Sequence, residues 1–143
     1  ITHFRHVHTY SGHAISCAVG LKVIEIKERE GLIPRAAELG DEWNAALKDA
    51  LMSSPIVGDV RGVGFWQAVD FTKDKATREA FTDDTVAQIA NRCRHHGVLV
   101  GAIGTAIEIA PPLVSQKADL ERCTSVLAQS VREIACERNP IGA

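Results

Sequence analysis

At Ser53-Ser54-Pro55 the spacing of apolar residues changes from three and four to two, and a chain that does this must pack helices against a sheet. Before the break, Ala36, Leu39, Trp43, Ala46, Leu47, Ala50 and Leu51 recur at helical spacing, with Arg35, Glu38, Asp41, Glu42, Lys48 and Asp49 on the opposite side. Pro34 stands where a first helical turn tolerates it. After the break, residues 56–60 and 63–71 read as strands, or one bulged hairpin, around Arg61-Gly62-Val63-Gly64. Val63, Phe65, Val69 and Phe71 share one face, with Gln67 its polar exception, and Trp66 and Ala68 share the other. Both faces are therefore expected to be at least partly covered.

Upstream of Pro34, the residues Ile15, Ala18, Val19, Leu21, Val23, Ile24 and Ile26 occupy more than half of a helix circumference. So wide a stripe predicts a largely buried helix, ending near Gly31. Downstream, residues 72–82 form a charged connection, and Asp83 or Asp84 can cap a helix carrying Val86, Ile89, Ala90 and Cys93 that stops at Gly97. Residues 98–100 and 106–110 are extended and flank Gly101-Ala102-Ile103-Gly104, and Pro111-Pro112 ends the second run. A last helix starts near Ser115 and runs through Leu120, Cys123, Leu127, Val131 and Ile134. The fold class is α/β (α+β): a small antiparallel or mixed sheet with helices over one face.

Charge excludes some functions. Sixteen Lys and Arg against eighteen Asp and Glu leave a net charge of −2, which argues against nucleic acid as a partner held by phosphate neutralisation. No apolar run approaches the roughly 20 residues of a membrane span. The chain opens Ile-Thr-His with no basic or apolar leader, so a cytoplasmic protein whose gene begins further upstream is expected. Cys17, Cys93, Cys123 and Cys136 form no CxxC pair and fall on helical patterns, which reads as reduced structural cysteines rather than a disulfide framework or zinc site.

The segment from His3 to His13 holds four of the six histidines and the hydroxyls of Thr9, Tyr10 and Ser11. Without HExxH, or a nearby carboxylate or cysteine, it does not complete a metal site of standard spacing. Hydroxyls and amides just ahead of a helix suit a phosphate, so Thr9, Tyr10 and Ser11 are candidate phosphate ligands. Ser11 acting only as a helix cap is the simpler alternative. Arg61-Gly62-Val63-Gly64 is too short for a dinucleotide fingerprint, Gly101 and Gly104 read as turn glycines, and His95-His96 as polar residues at a helix end. No nucleophile elbow, Ser-His-Asp order or paired catalytic carboxylates can be argued from the chain.

Taken together, Phe4-Arg5-His6-Val7-His8-Thr9-Tyr10-Ser11-Gly12-His13, Val57-Gly58-Asp59-Val60-Arg61-Gly62-Val63-Gly64 and Ile107-Glu108-Ile109-Ala110-Pro111-Pro112-Leu113 resemble the class III pyridoxal-phosphate-dependent aminotransferases, the ω-amino acid:pyruvate transaminases in particular. The resemblance continues through Arg35-Ala36-Ala37-Glu38-Leu39-Gly40 and Lys73-Asp74-Lys75-Ala76-Thr77-Arg78, in order along nearly the whole chain. It implies the C-terminal part of a fold-type I transferase, with residues 1–31 a connecting segment and long helix leading from an absent N-terminal cofactor domain. Residues 32–143 would then be the small C-terminal α/β domain.

The resemblance also implies that Thr9, with the backbone around His8, contacts the phosphate of pyridoxal 5'-phosphate (PLP) bound to the opposite subunit of a homodimer. The Schiff-base lysine, and the aspartate that pairs with the pyridine nitrogen, would lie upstream of Ile1. None of Lys22, Lys27, Lys48, Lys73, Lys75 or Lys117 matches the family's lysine motif. The full-length enzyme would move an amino group between an amine or ω-amino acid and an oxo acid such as pyruvate, and this chain alone would be inactive. Three positions depart from the family. Val7 stands where glycine is usual, Ala14 where proline is common, and Gly101 where many relatives place an arginine that holds the substrate carboxylate. The other expectations are a non-catalytic interaction or regulatory domain on the same scaffold, motivated by the missing lysine and by Gly101, and a histidine-rich metal-binding module.

Overall fold

The change of spacing at Ser54 is a change of element in the computed structural model, which describes residues 6–138. Two helices come first, α1 (Ala14–Arg29) and α2 (Leu32–Leu51). Strands β1 (Val57–Val63) and β2 (Trp66–Phe71) follow, then α3 (Thr85–His95), β3 (Gly101–Ile103), β4 (Ala106–Ile109) and α4 (Lys117–Arg138). The chain divides into two compact units that part between Ile33 and Pro34.

In the larger unit the four strands form one antiparallel sheet in the order β1-β2-β4-β3. Pairing Val60 with Val69, and Val69 with Ile107, stacks three apolar side chains on one face, and all three are buried. Phe65, Phe71 and Ile109 continue that face. Trp43, Leu47 and Leu51 from α2, Val86, Ile89 and Cys93 from α3, and Leu120, Leu127, Val131 and Ile134 from α4 complete the core. Each large aliphatic or aromatic side chain so buried contributes about 1.5–3 kcal/mol. The helices cover one face of the sheet only, which corrects the expectation that both faces are partly covered: Trp66, on the other face, is 61% exposed.

Two polar groups inside this core explain apparent exceptions in the pattern. Gln67, on the buried face, donates from Nε2 to the Gly64 carbonyl at 2.7 Å and accepts from Asn44 Nδ2 at 2.6 Å, so its amide is satisfied where an isolated one would be costly. The Trp43 indole donates to Thr124 Oγ1 at 2.9 Å, and that hydroxyl donates to the Leu120 carbonyl at 3.0 Å. Helix α2 is thus tied to the hairpin on one side and to α4 on the other. It also approaches the hairpin turn so closely that a Cβ at Gly40 would overlap the Gly64 backbone. Arg35 completes the joint by donating to the carbonyls of Leu113 (2.9 Å) and Ser115 (2.5 Å).

Several sequence expectations are corrected. Helix α1 buries no residue: Ile15 and Leu21 are each 70% exposed. A wide apolar stripe requires a cover, and periodicity cannot say that the cover belongs to the same chain. The hairpin expected around Arg61-Gly62-Val63-Gly64 turns at the last of these, Gly64 (φ +54°), and at Phe65, which interrupts the alternation. Val63 consequently pairs with Trp66 on the open face and is 75% exposed. The third strand starts at Gly101 and the turn moves to Gly104 (φ +58°), so Gly101 is a strand residue rather than a turn residue. Cys93 and Cys123 are buried, with burial pushing the Cys123 thiol up to about 11, whereas Cys17 and Cys136 are exposed.

The close approach at Gly40 makes a prediction of sign. Alanine favours a helix by about 1 kcal/mol over glycine, but at this site its methyl must displace backbone. Gly40→Ala should therefore lower stability by about 1–3 kcal/mol in denaturant unfolding, while Gly20→Ala in α1, where a Cβ meets nothing, should raise helicity by circular dichroism.

Acid stability follows from two carboxylates. Glu133 accepts from Arg92 at 2.7 Å and from Gln129 at 2.8 Å, and these hold it down from 4.5 to about 2. Asp83 falls from 3.8 to about 2, through the Thr85 hydroxyl and then Arg138. A carboxylate with its folded value depressed stabilises fully above its unfolded value and loses that contribution as pH falls through the folded one. Unfolding midpoints should drop between roughly pH 4.5 and 2, and Glu133→Gln should flatten that slope.

Candidate functional site

The segment ahead of α1 is built from two tight turns. Ser11 N donates to the His8 carbonyl at 3.1 Å, and His13 N donates to the Tyr10 carbonyl at 3.2 Å, with Gly12 at φ +74° between them. His13, not Ser11, caps the helix. Its Nδ1 accepts from Ser16 N at 3.2 Å and lies 2.8 Å from Ser16 Oγ. Ser11 is displaced from the cap because its amide closes the first turn, two residues too early to reach the first helical amides.

His8 and Thr9 sit on the first of these turns and are exposed. Thr9 keeps its hydroxyl without a partner among the described residues. The His8 imidazole meets that of His6 edge-on, their Nε2 atoms 3.0 Å apart. His3, Phe4 and Arg5, which complete this motif in the sequence, lie outside the described residues. Among the described residues no group of three or more His, Cys, Asp or Glu could hold a metal ion. A hydroxyl on an exposed turn, followed by first-turn amides at Ala14 and Ile15 that have no intrahelical acceptor, is a donor set of the kind a phosphate takes.

A second feature lies in the larger unit, on the sheet face that carries no helix. The register sets Gly101 opposite Glu108, and Trp66 Nε1 donates to Glu108 Oε1 at 3.0 Å across the same face. Gly101 is not there for its backbone freedom. It lacks a positive φ, and a Cβ would meet only Glu108 O at 3.8 Å and Glu108 Cβ at 4.0 Å, which are ordinary contacts. Trp66 and Glu108 escaped the sequence reading as neighbours of Gly101. The alternation that puts Trp66 opposite Gln67 places it on the open face, but only the register brings Glu108 and Gly101 to it.

Of the described residues, no helix is long and apolar enough to cross a membrane. Residues 1–131 match the family model described as aminotransferase class-III. An aminotransferase of Sinorhizobium fredii is 34% identical over 138 residues, covering 94% of this chain and 30% of its own length. The taurine–pyruvate aminotransferase of Rhodobacter capsulatus is 30% identical over 142 residues, covering 94% of this chain and 31% of its own length. Among solved structures, an amine transaminase from an uncultivated Pseudomonas species in its PLP-bound form superposes with a TM-score of 0.83 at 34% identity. That match covers 91% of this chain and 30% of the Pseudomonas chain. The chain therefore spans about three-tenths of the length of the relatives it matches.

Proposed function

The chain belongs to the class III aminotransferases, and from that premise we propose that it is the small-domain portion of an enzyme that moves an amino group between an amine or ω-amino acid and an oxo acid. The match over residues 1–131 carries this reading. PLP, when bound, supplies the electron sink for the transfer. Thr9 holds its phosphate, with the backbone around His8, across the interface of a homodimer. The unpartnered Thr9 hydroxyl and the unpaired amides at the start of α1 fit that role. So does α1 itself, whose exposed Ile15, Leu21 and Ile24 are spread around its circumference, as in a helix that an assembly covers on more than one side.

The covalent chemistry needs a lysine that this chain does not supply. None of its six lysines is buried, and a Schiff-base lysine is activated by a desolvated pocket or by crowding with other charge. By itself the chain is inactive. Its contribution to the holoenzyme is to orient the cofactor phosphate and to shape the substrate side of the open sheet face at Gly101. A glycine there offers a substrate carboxylate no guanidinium, and Glu108 beside it disfavours an anion.

Two measurements test this. In the holoenzyme, Thr9→Ala should weaken PLP binding about tenfold or more, the loss expected for a hydrogen bond to a charged group, read from absorbance on titration. Unchanged affinity would remove Thr9 from the cofactor site. Gly101→Arg, which the contacts above accommodate, should raise kcat/KM for carboxylate-bearing amines relative to carboxylate-free ones by about tenfold. No change in that ratio would place Gly101 away from the substrate.

A further inference from the structure

A cavity of about 610 Å³ in the larger unit is not part of the features above. It opens where β1 and β2 meet the loop that follows β2, and its charged wall is divided into two poles. At one pole Arg61 Nη1 donates to Asp59 Oδ2 at 3.0 Å and to Asp70 Oδ2 at 3.2 Å, so two carboxylates share one cation. At the other stand Lys75 and Arg78. Lys75 spends one proton on the Met52 carbonyl at 2.8 Å and keeps two. The Arg78 guanidinium has no hydrogen-bond or ion-pair partner among the described residues, so it lies beyond 4 Å from every carboxylate there, Asp59 and Asp70 included. The poles do not neutralise each other. Of the side chains that line the cavity, Asp59, Asp70 and Arg61 sum to −1 and Lys75 and Arg78 to +2, while the Asp74 carboxylate, which is not in the lining, is turned to the Ala76 and Thr77 amides.

The loop holding Arg78 is rigidly built. Thr72 Oγ1 shares its one proton between the carbonyls of Asp74 (2.8 Å) and Glu79 (2.7 Å), Lys73 N donates to Glu79 O at 2.7 Å, and Asp74 Oδ1 accepts from the amides of Ala76 and Thr77. At its corner Arg78 sits at φ +59°, which no other non-glycine residue described here adopts. This conformation costs free energy in an L-residue, and glycine would occupy it without strain. Below the loop, Gly58 keeps the cavity floor open, because a Cβ there would come within 3.2 Å of Thr72 Cγ2.

We propose that this cavity binds a small zwitterion, with its ammonium group beside Asp59 and Asp70 and its carboxylate at Lys75 and Arg78. A simple anion would face the two carboxylates, and a simple amine would face two cations. Only a molecule bearing both charges at separated ends satisfies both poles.

The test is a titration of the isotope-labelled 143-residue chain, followed by amide chemical shifts, with 5-aminopentanoate as the probe and pentylamine and pentanoate as its two halves. Saturable shifts at Gly58, Asp59 and the 75–78 loop are expected for 5-aminopentanoate, with either half at least about tenfold weaker. Arg78→Gly removes the cation while relieving the backbone, so the fold should hold or gain stability while binding falls about tenfold or more; Asp70→Asn should weaken binding likewise. Shifts that never saturate, pentanoate binding as well as 5-aminopentanoate, or unchanged binding by Arg78→Gly would each overturn the proposal. No cofactor enters the measurement, so its outcome is independent of the proposed aminotransferase role.

Discussion

The larger unit depends on how near α2 can come to the β1–β2 turn. Gly40 and Gly64 are apposed without side chains between them, and this lets Trp43 and Leu47 reach the floor of the sheet. The same approach brings Asn44 within hydrogen-bonding distance of Gln67, whose other end holds the Gly64 carbonyl. A bulkier residue at position 40 would lift the helix and break that chain of hydrogen bonds at once. Steric closeness and polar satisfaction are therefore one constraint in two forms.

Once α2 is seated, the sheet has one face filled with aliphatic side chains and one face without helices. The register orders the open face into rows. Val63 and Trp66 stand at one end, then Arg61, Ala68, Glu108 and Gly101, then Asp59, Asp70, Ala106 and Ile103. Apolar and aromatic contact, mixed charge and acid thus follow one another along the strands. The two features assigned to this face, the neighbourhood of Gly101 and the cavity beside Asp59 and Asp70, adjoin at Arg61, which stands in the row of Gly101 and pairs with both aspartates of the next.

Much of this was legible in the sequence because two periods were. The helix faces around Trp43, Ile89 and Leu127 and the alternation from Phe65 to Phe71 follow directly from the spacing of apolar residues. Turn positions were not legible to within a few residues. Each of the two hairpins holds several glycines, and only a positive φ, at Gly64 and Gly104, decides which one bends. Exposure of α1 was misread since amphipathic width reports what a helix needs to bury, not where its partner is. Thr9 emerged from local chemistry and from family likeness together. Arg78 did not, because its loop reads as mere charge until β1 and β2 pair and bring Asp59 and Asp70 alongside it.

The strand order β1-β2-β4-β3 also has a history written into it. The β1–β2 hairpin closes locally, on a timescale of about 1–10 μs for such elements. Strand β4 must find β2 across the whole of α3 and β3, as the pairing of Gln67 with Ile109 requires, and loop closure over that distance costs more entropy before any contact repays it. One of the two interior strands of the sheet, β4, is thus among its late arrivals during synthesis. A ribosome that has released residues 57–71 has made a hairpin whose β2 edge stays bare until residues 106–109 emerge.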